Sequence, residues 1–61
     1  MVRYFRVPGP GRYVVEYDLG GEVVRRVLKS ININGNHYIR LDIPRSKKAP
    51  NFLRIARLKP L

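Results

Sequence analysis

The sequence predicts an all-β fold, a single domain (1–61) built as a meander of five short strands. Three observations carry this expectation. Turn-forming residues recur at short intervals, at Pro8-Gly9-Pro10-Gly11, Gly20-Gly21, Asn34-Gly35-Asn36 and the tract from Pro44 to Asn51, so the stretches between them are strand-length. Two of those stretches alternate apolar and polar residues with period two. Their apolar residues are mostly Val, Ile, Leu and Tyr, a set in which β-branched and aromatic side chains suit a pleated, half-buried surface.

Val2 to Val7 forms the first strand, with Tyr4 and Phe5 on opposite faces. Arg12 to Leu19 alternates most clearly: Tyr13, Val15, Tyr17 and Leu19 share one face, and Arg12, Val14, Glu16 and Asp18 the other. Gly20-Gly21 then supplies the positive φ angles of a tight hairpin. Glu22 to Ile31 is ambiguous, because Val23, Val24, Val27, Leu28 and Ile31 recur as a helical stripe. Three valines, the upstream glycine pair and the lack of a capping residue favour a strand, with a bulge near Arg25-Arg26 to explain the broken alternation. Asn34-Gly35 reads as a type I′ turn. The strand that follows sets His37, Ile39, Leu41 and Ile43 against Tyr38, Arg40 and Asp42, and Pro44 ends it. Arg45-Ser46-Lys47-Lys48-Ala49-Pro50 is a basic loop. Phe52 to Leu58 is either a closing strand or a short C-terminal helix capped by Asn51.

The chain's 61 residues and 7.1 kDa leave no room for a second lobe or a deep cofactor cleft. A domain of this size buries only about 60% of the surface its unfolded chain exposes. With no cysteine, disulfides and thiolate metal sites are excluded. Arg3, Arg6 and Pro8 interrupt any signal-peptide core, and no stretch approaches the roughly 20 apolar residues of a membrane span. A soluble, cytoplasmic protein is therefore expected. The absence of Gln, Thr and Trp as well as Cys fits a thermophile, while the deamidation-prone Asn34-Gly35 pair points the other way.

Enzymatic chemistry fails on inventory. The single histidine, His37, stands beside a turn on an apolar face, as a partly buried structural histidine does. The hydroxyls are Ser30, Ser46 and four tyrosines, none in a nucleophile-elbow context. Glu16 and Asp18 share a strand face, but cross-strand ion pairs with Arg or Lys account for them better than a catalytic pair does. The glycine clusters match neither a Walker A loop nor a dinucleotide fingerprint. No cofactor, metal or small-molecule substrate is expected.

Binding remains, and charge indicates the partner. Thirteen Lys and Arg face four Asp and Glu, a net charge of +9. Each cation alone would be an ordinary solvated residue, but so large a surplus on so small a domain repels itself, and a polyanion relieves that repulsion. All four acids lie in the first 42 residues, so the stretch from Arg45 onward holds cations alone. A membrane-surface binder would carry a basic amphipathic helix with exposed Leu or Trp, whereas the helical stripe here is valine-rich and flanked by turns. Interleaved Arg and aromatic residues on strands instead suit nucleic acid, with rings stacking on bases while cations meet phosphates. Several of the six rings must be core, and Phe5, Tyr13, Tyr17 and Phe52 are assigned there. The expected nucleic-acid-binding residues are Arg3, Tyr4, Arg6, Arg25, Arg26, Tyr38, Arg40, Arg45, Lys47, Lys48, Arg54 and Arg57. No recognition helix or zinc-finger spacing is present, so weak sequence preference is expected.

In size, charge, absence of cysteine and β-rich pattern, including the Arg12-Tyr13-Val14-Val15-Glu16-Tyr17 strand and the basic Pro44 to Asn51 tract, the chain resembles the small chromatin proteins of crenarchaea. The expected meander closes as a five-stranded SH3-like or OB-like barrel, and the resemblance implies the SH3-like form. It also implies a monomeric, chromosome-associated, archaeal architectural protein that binds double-stranded and single-stranded DNA without strong sequence preference. Two other readings stand beside it. One is an RNA-binding or ribosome-associated β module, since strand-borne Tyr and Arg suit single-stranded RNA equally. The other is a structural subunit whose basic surface meets an acidic protein or RNA scaffold.

Overall fold

The computed structural model, which describes residues 1–45 and 48–59, contains six strands: β1 (Val2–Val7), β2 (Arg12–Leu19), β3 (Glu22–Lys29), β4 (Ile31–Ile33), β5 (Asn36–Asp42) and β6 (Asn51–Arg57). Two consecutive positive-φ residues make each tight reversal: Gly20 (65°) and Gly21 (91°) between β2 and β3, Asn34 (51°) and Gly35 (85°) between β4 and β5. In both turns the glycine N–H is bound by a side chain three residues upstream. Gly21 donates to Asp18 Oδ1 at 2.8 Å and Gly35 to Asn32 Oδ1 at 2.9 Å. Asp18 is therefore committed to a turn, which gives one of the few acids a structural task.

The strands form two three-stranded antiparallel sheets, ordered β1-β5-β4 and β3-β2-β6. Their inner faces enclose one core of Val7, Tyr13, Val15, Tyr17, Ile39, Leu41 and Ile43, with Phe5, Leu19, Val24, Leu28 and Phe52 packed around it. Full burial of one such aliphatic side chain contributes about 1.5–3 kcal/mol, so this short set carries most of the fold's stability. The Tyr13 hydroxyl also donates to Gly9 O at 2.7 Å, fastening the β1–β2 loop to the core. The chain passes from one sheet to the other at Ser30. There Ser30 N–H donates to Gly11 O at 2.8 Å and Ser30 Oγ accepts from Gly11 N–H at 2.9 Å, so the two crossovers on this side hold each other.

Three expectations are corrected. The sheets do not close into a barrel, SH3-like or OB-like. On the open side β1 and β6 meet through the Phe5 and Phe52 rings, with centroids 4.9 Å apart at 71°, and not through backbone pairing. There are six strands in place of five because the third expected strand is cut at Ser30, where the chain changes sheet.

No bulge interrupts Arg25-Arg26: the β2–β3 register runs unbroken from Leu19↔Glu22 to Arg12↔Lys29. Alternation in β3 is intact, but each face carries an arginine between two apolar residues. Arg25 lies between Val23 and Val27 and opposite Glu16, while Arg26 lies between Val24 and Leu28 on an exposed edge. A strand patterned in this way imitates a helical stripe. The bulge lies in β6, where the pairing shifts between Glu16↔Arg54 and Tyr17↔Phe52 and leaves Leu53 as the extra residue. The last element is a strand and not a helix, since the free edge of β2 takes it up, and Leu58 N–H extends the contact to Arg12 O at 2.9 Å.

Candidate nucleic-acid interface

Alternation builds a face. With Phe5, Val7, Ile39 and Leu41 turned into the core, the intervening residues of β1, β5 and β4 must occupy the outer surface of their sheet. The β1–β5 register sets Tyr4 opposite Arg40 and Arg6 opposite Tyr38, and the β4–β5 register adds Ile31 beside Tyr38 and Ile33 beside Asn36. The two rows are crossed: tyrosine and arginine exchange strands from one row to the next. Directly opposed residues on a sheet stand about 4.5–5.5 Å apart at Cβ, so each tyrosine has an arginine as its cross-strand neighbour.

Tyr4 is 54% exposed, Ile31 39% and Ile33 43%, while Tyr38 is half-buried between its neighbours. Arg6 and Arg40 are exposed. Arg6 Nη2 donates to Asn36 Oδ1 at 3.1 Å, an exposed contact that uses one of the five guanidinium donors. Asp42, opposite Val2 at one end, is the acid of this surface. The arrangement offers two phenol rings and two isoleucines for stacking or wedging, with two cations in register beside them for phosphate.

The other expected residues lie elsewhere. Arg3 occupies a core-side position in β1, and its guanidinium reaches over the Phe52 ring at 5.3 Å on the open side. Arg25 and Arg26 point to opposite faces of β3 in the second sheet. Arg54 is engaged by Glu16, Nε to Oε1 at 3.1 Å, in the same row as Arg25. A pair this exposed adds only about 0–1 kcal/mol of stability, yet it offsets the charge Arg54 would offer to a phosphate. Arg57 lies over the Tyr13 ring at 5.8 Å and donates to Pro10 O. Arg45 and Lys48 rim a shallow recess with Met1, Leu19, Pro44 and Pro50. Lys47 falls outside the described residues.

Of the expected set, then, Tyr4, Arg6, Tyr38 and Arg40 come together on one face. Tyr4 and Tyr38 lie on the outer side of their sheet, and Tyr13 and Tyr17, expected in the core, are buried there at 2% and 1% exposure. Ile31 and Ile33, which complete the face, are not among the expected residues, because the expected third strand ends at Ile31 and the separate strand β4 is not foreseen. Lys29 was also overlooked as the neighbour of Arg12. Counting outward from Gly20-Gly21 pairs them, so that signal was present in the sequence. Comparison of the chain with protein-family models, curated proteins and solved structures gives no match.

Proposed function

We propose that the protein is a non-enzymatic DNA-binding module of the architectural, chromosome-associated kind, and that it binds through the outer face of the β1-β5-β4 sheet. The observation that carries this reading is the crossed pair of rows, Tyr4 beside Arg40 and Arg6 beside Tyr38, on an open surface with a single acid at its end. Rings on this face stack on or wedge between bases, and the adjacent guanidinium groups take the phosphates. Both contacts are indifferent to sequence, since every base has a π-face and phosphates carry no base identity. The net charge of +9 supplies the long-range attraction.

Single-stranded RNA is the competing ligand, favoured by the openness of Tyr4, whose ring is free to receive an unstacked base. Titration of duplex DNA, single-stranded DNA and structured RNA at several salt concentrations, followed by tyrosine emission in a chain without tryptophan, separates the two. Comparable affinity for both DNA forms with a steep salt dependence supports the DNA reading. A strong RNA preference transfers the function to RNA, and no binding at about 100 mM salt sinks both.

A further inference from the structure

A second cationic feature lies away from this face, where β2 begins and β3 and β6 end. Pro10, Gly11, Arg12, Lys29, Arg57, Leu58 and Lys59 line an open recess of about 610 Å³. Four of these seven residues are cations, and none is an acid. Arg12 and Lys29 are direct cross-strand partners, an arrangement that is destabilising for like charges unless an anion lies between them.

Arg57 differs from the other three in being held. Its Nη2 donates to Pro10 O, and its guanidinium lies over the Tyr13 ring at 5.8 Å. It also rests on the backbone of Gly11, where a Cβ would stand 3.2 Å from Arg57 Nε. Gly11 has a φ of 148°, suited to glycine, and the loop beneath is tied down by the Tyr13 hydroxyl on Gly9 O and by Ser30 on Gly11. A guanidinium ordered before the ligand arrives loses little further freedom on binding, and the one hydrogen bond it donates to Pro10 O leaves it four N–H donors of its five, about as many as two phosphoryl oxygens can use.

The geometry points to a phosphate-binding site, with Arg57 as the fixed anchor and Arg12, Lys29 and Lys59 as cations that close on the ligand. A single phosphodiester carries one negative charge and leaves most of this recess uncompensated. A terminal phosphate, with a charge of about −1.5 to −2 at neutral pH, or two successive diesters matches it better. The site stands on its own residues and does not rest on the sheet-face reading.

The test uses ¹H–¹⁵N spectra of the full chain titrated with pyrophosphate at constant ionic strength, with sodium chloride as control. Saturable shifts are expected at the amides of Gly11, Arg12, Lys29 and Leu58 and at Arg57 Nε–H, with Tyr4 and Tyr38 unmoved. Lys29→Ala combined with Lys59→Ala should weaken that saturation about tenfold or more, because two of the four cations are removed, and should leave the melting temperature of the free protein unchanged or raised. Thymidine oligonucleotides of one length, with a 5′-phosphate or a 5′-hydroxyl, distinguish the sources: a terminal phosphate moves the recess only in the first, backbone phosphates move it in both. Absence of saturation, equal shifts at the remote Arg25 and Arg45, or full retention in the double variant would overturn the site. Pyrophosphate shifts that persist while oligonucleotides leave Tyr4 and Tyr38 unmoved would count against the sheet face alone.

Discussion

The Phe52 ring meets the Phe5 ring edge to face at 4.9 Å although their strands, β6 and β1, share no hydrogen bond. Tyr17 approaches the same ring at 6.0 Å and Arg3 covers it at 5.3 Å, so a single side chain closes the side on which the two sheets are not joined by backbone. Phe52→Ala is expected to cost about 2–4 kcal/mol, from lost transfer and ring contacts. A domain of this length has roughly 3–9 kcal/mol in total. Urea unfolding followed by circular dichroism should therefore show a midpoint shifted far toward zero. A shift equivalent to less than about 1 kcal/mol would mean that the open side is held by other contacts.

The rings of the candidate face differ in exposure, and their substitutions should differ accordingly. Tyr4→Ala removes a side chain that is 54% exposed, so stability should change by no more than about 0.5 kcal/mol. Its affinity for single-stranded DNA should fall by about 1–3 kcal/mol, the usual worth of one stacked base. Tyr38→Ala should lower both affinity and stability, because that ring is half-buried beside Ile31 and Arg6. Unchanged single-strand affinity in Tyr4→Ala, measured by fluorescence anisotropy of a labelled oligonucleotide, would remove stacking from the mechanism.

Side-chain faces could be read from this sequence, but side-chain neighbours could not. Period two placed Tyr4 opposite in facing to Phe5, and Tyr38 and Arg40 opposite to Ile39, as the structure has them. The two glycine-containing turns also fixed the local pairings, because a two-residue reversal leaves one register. The pairing of β1 with β5 joins residues thirty to forty positions apart, and alternation carries no information about which strand lies alongside which. The Tyr4–Arg40 row was therefore invisible until the sheet was assembled. In β6 the bulge at Leu53 interrupts alternation, so the segment looked equally like a strand or a helix. The edge of β2 decided it, and that edge is a tertiary fact.

Arginines on the face and arginines in ion pairs should respond differently to salt. If Arg6 and Arg40 each neutralise one phosphate, log K against log salt should flatten by about 0.9 for each alanine substitution on duplex DNA. Arg54→Ala should leave the slope nearly unaltered, since Glu16 already offsets that charge at 3.1 Å. Binding isotherms at four or more salt concentrations give the three slopes. Equal flattening in all three variants would show that net charge, and not the placement of Arg6 and Arg40, governs binding.

The turn between β4 and β5 positions Ile33 and Asn36 at one end of the face, and its geometry depends on Gly35 at a φ of 85°. Among the described residues no atom outside its chain neighbours lies within 4 Å of where a Cβ would stand, so the penalty of Gly35→Ala comes from backbone strain and not from a clash. The left-handed conformation costs an L-residue about 1–2 kcal/mol. Gly35→Ala should thus lower stability by about that amount, while Gly35→Asn, a residue that tolerates positive φ, should recover much of it. Because Asn36 holds the Arg6 guanidinium at 3.1 Å, loosening this turn should also weaken duplex binding, and the Asn variant should restore affinity and melting temperature together. Recovery of stability without recovery of affinity would separate the turn from the face. Thermal melts and duplex titrations of the two variants, run side by side, decide between these outcomes.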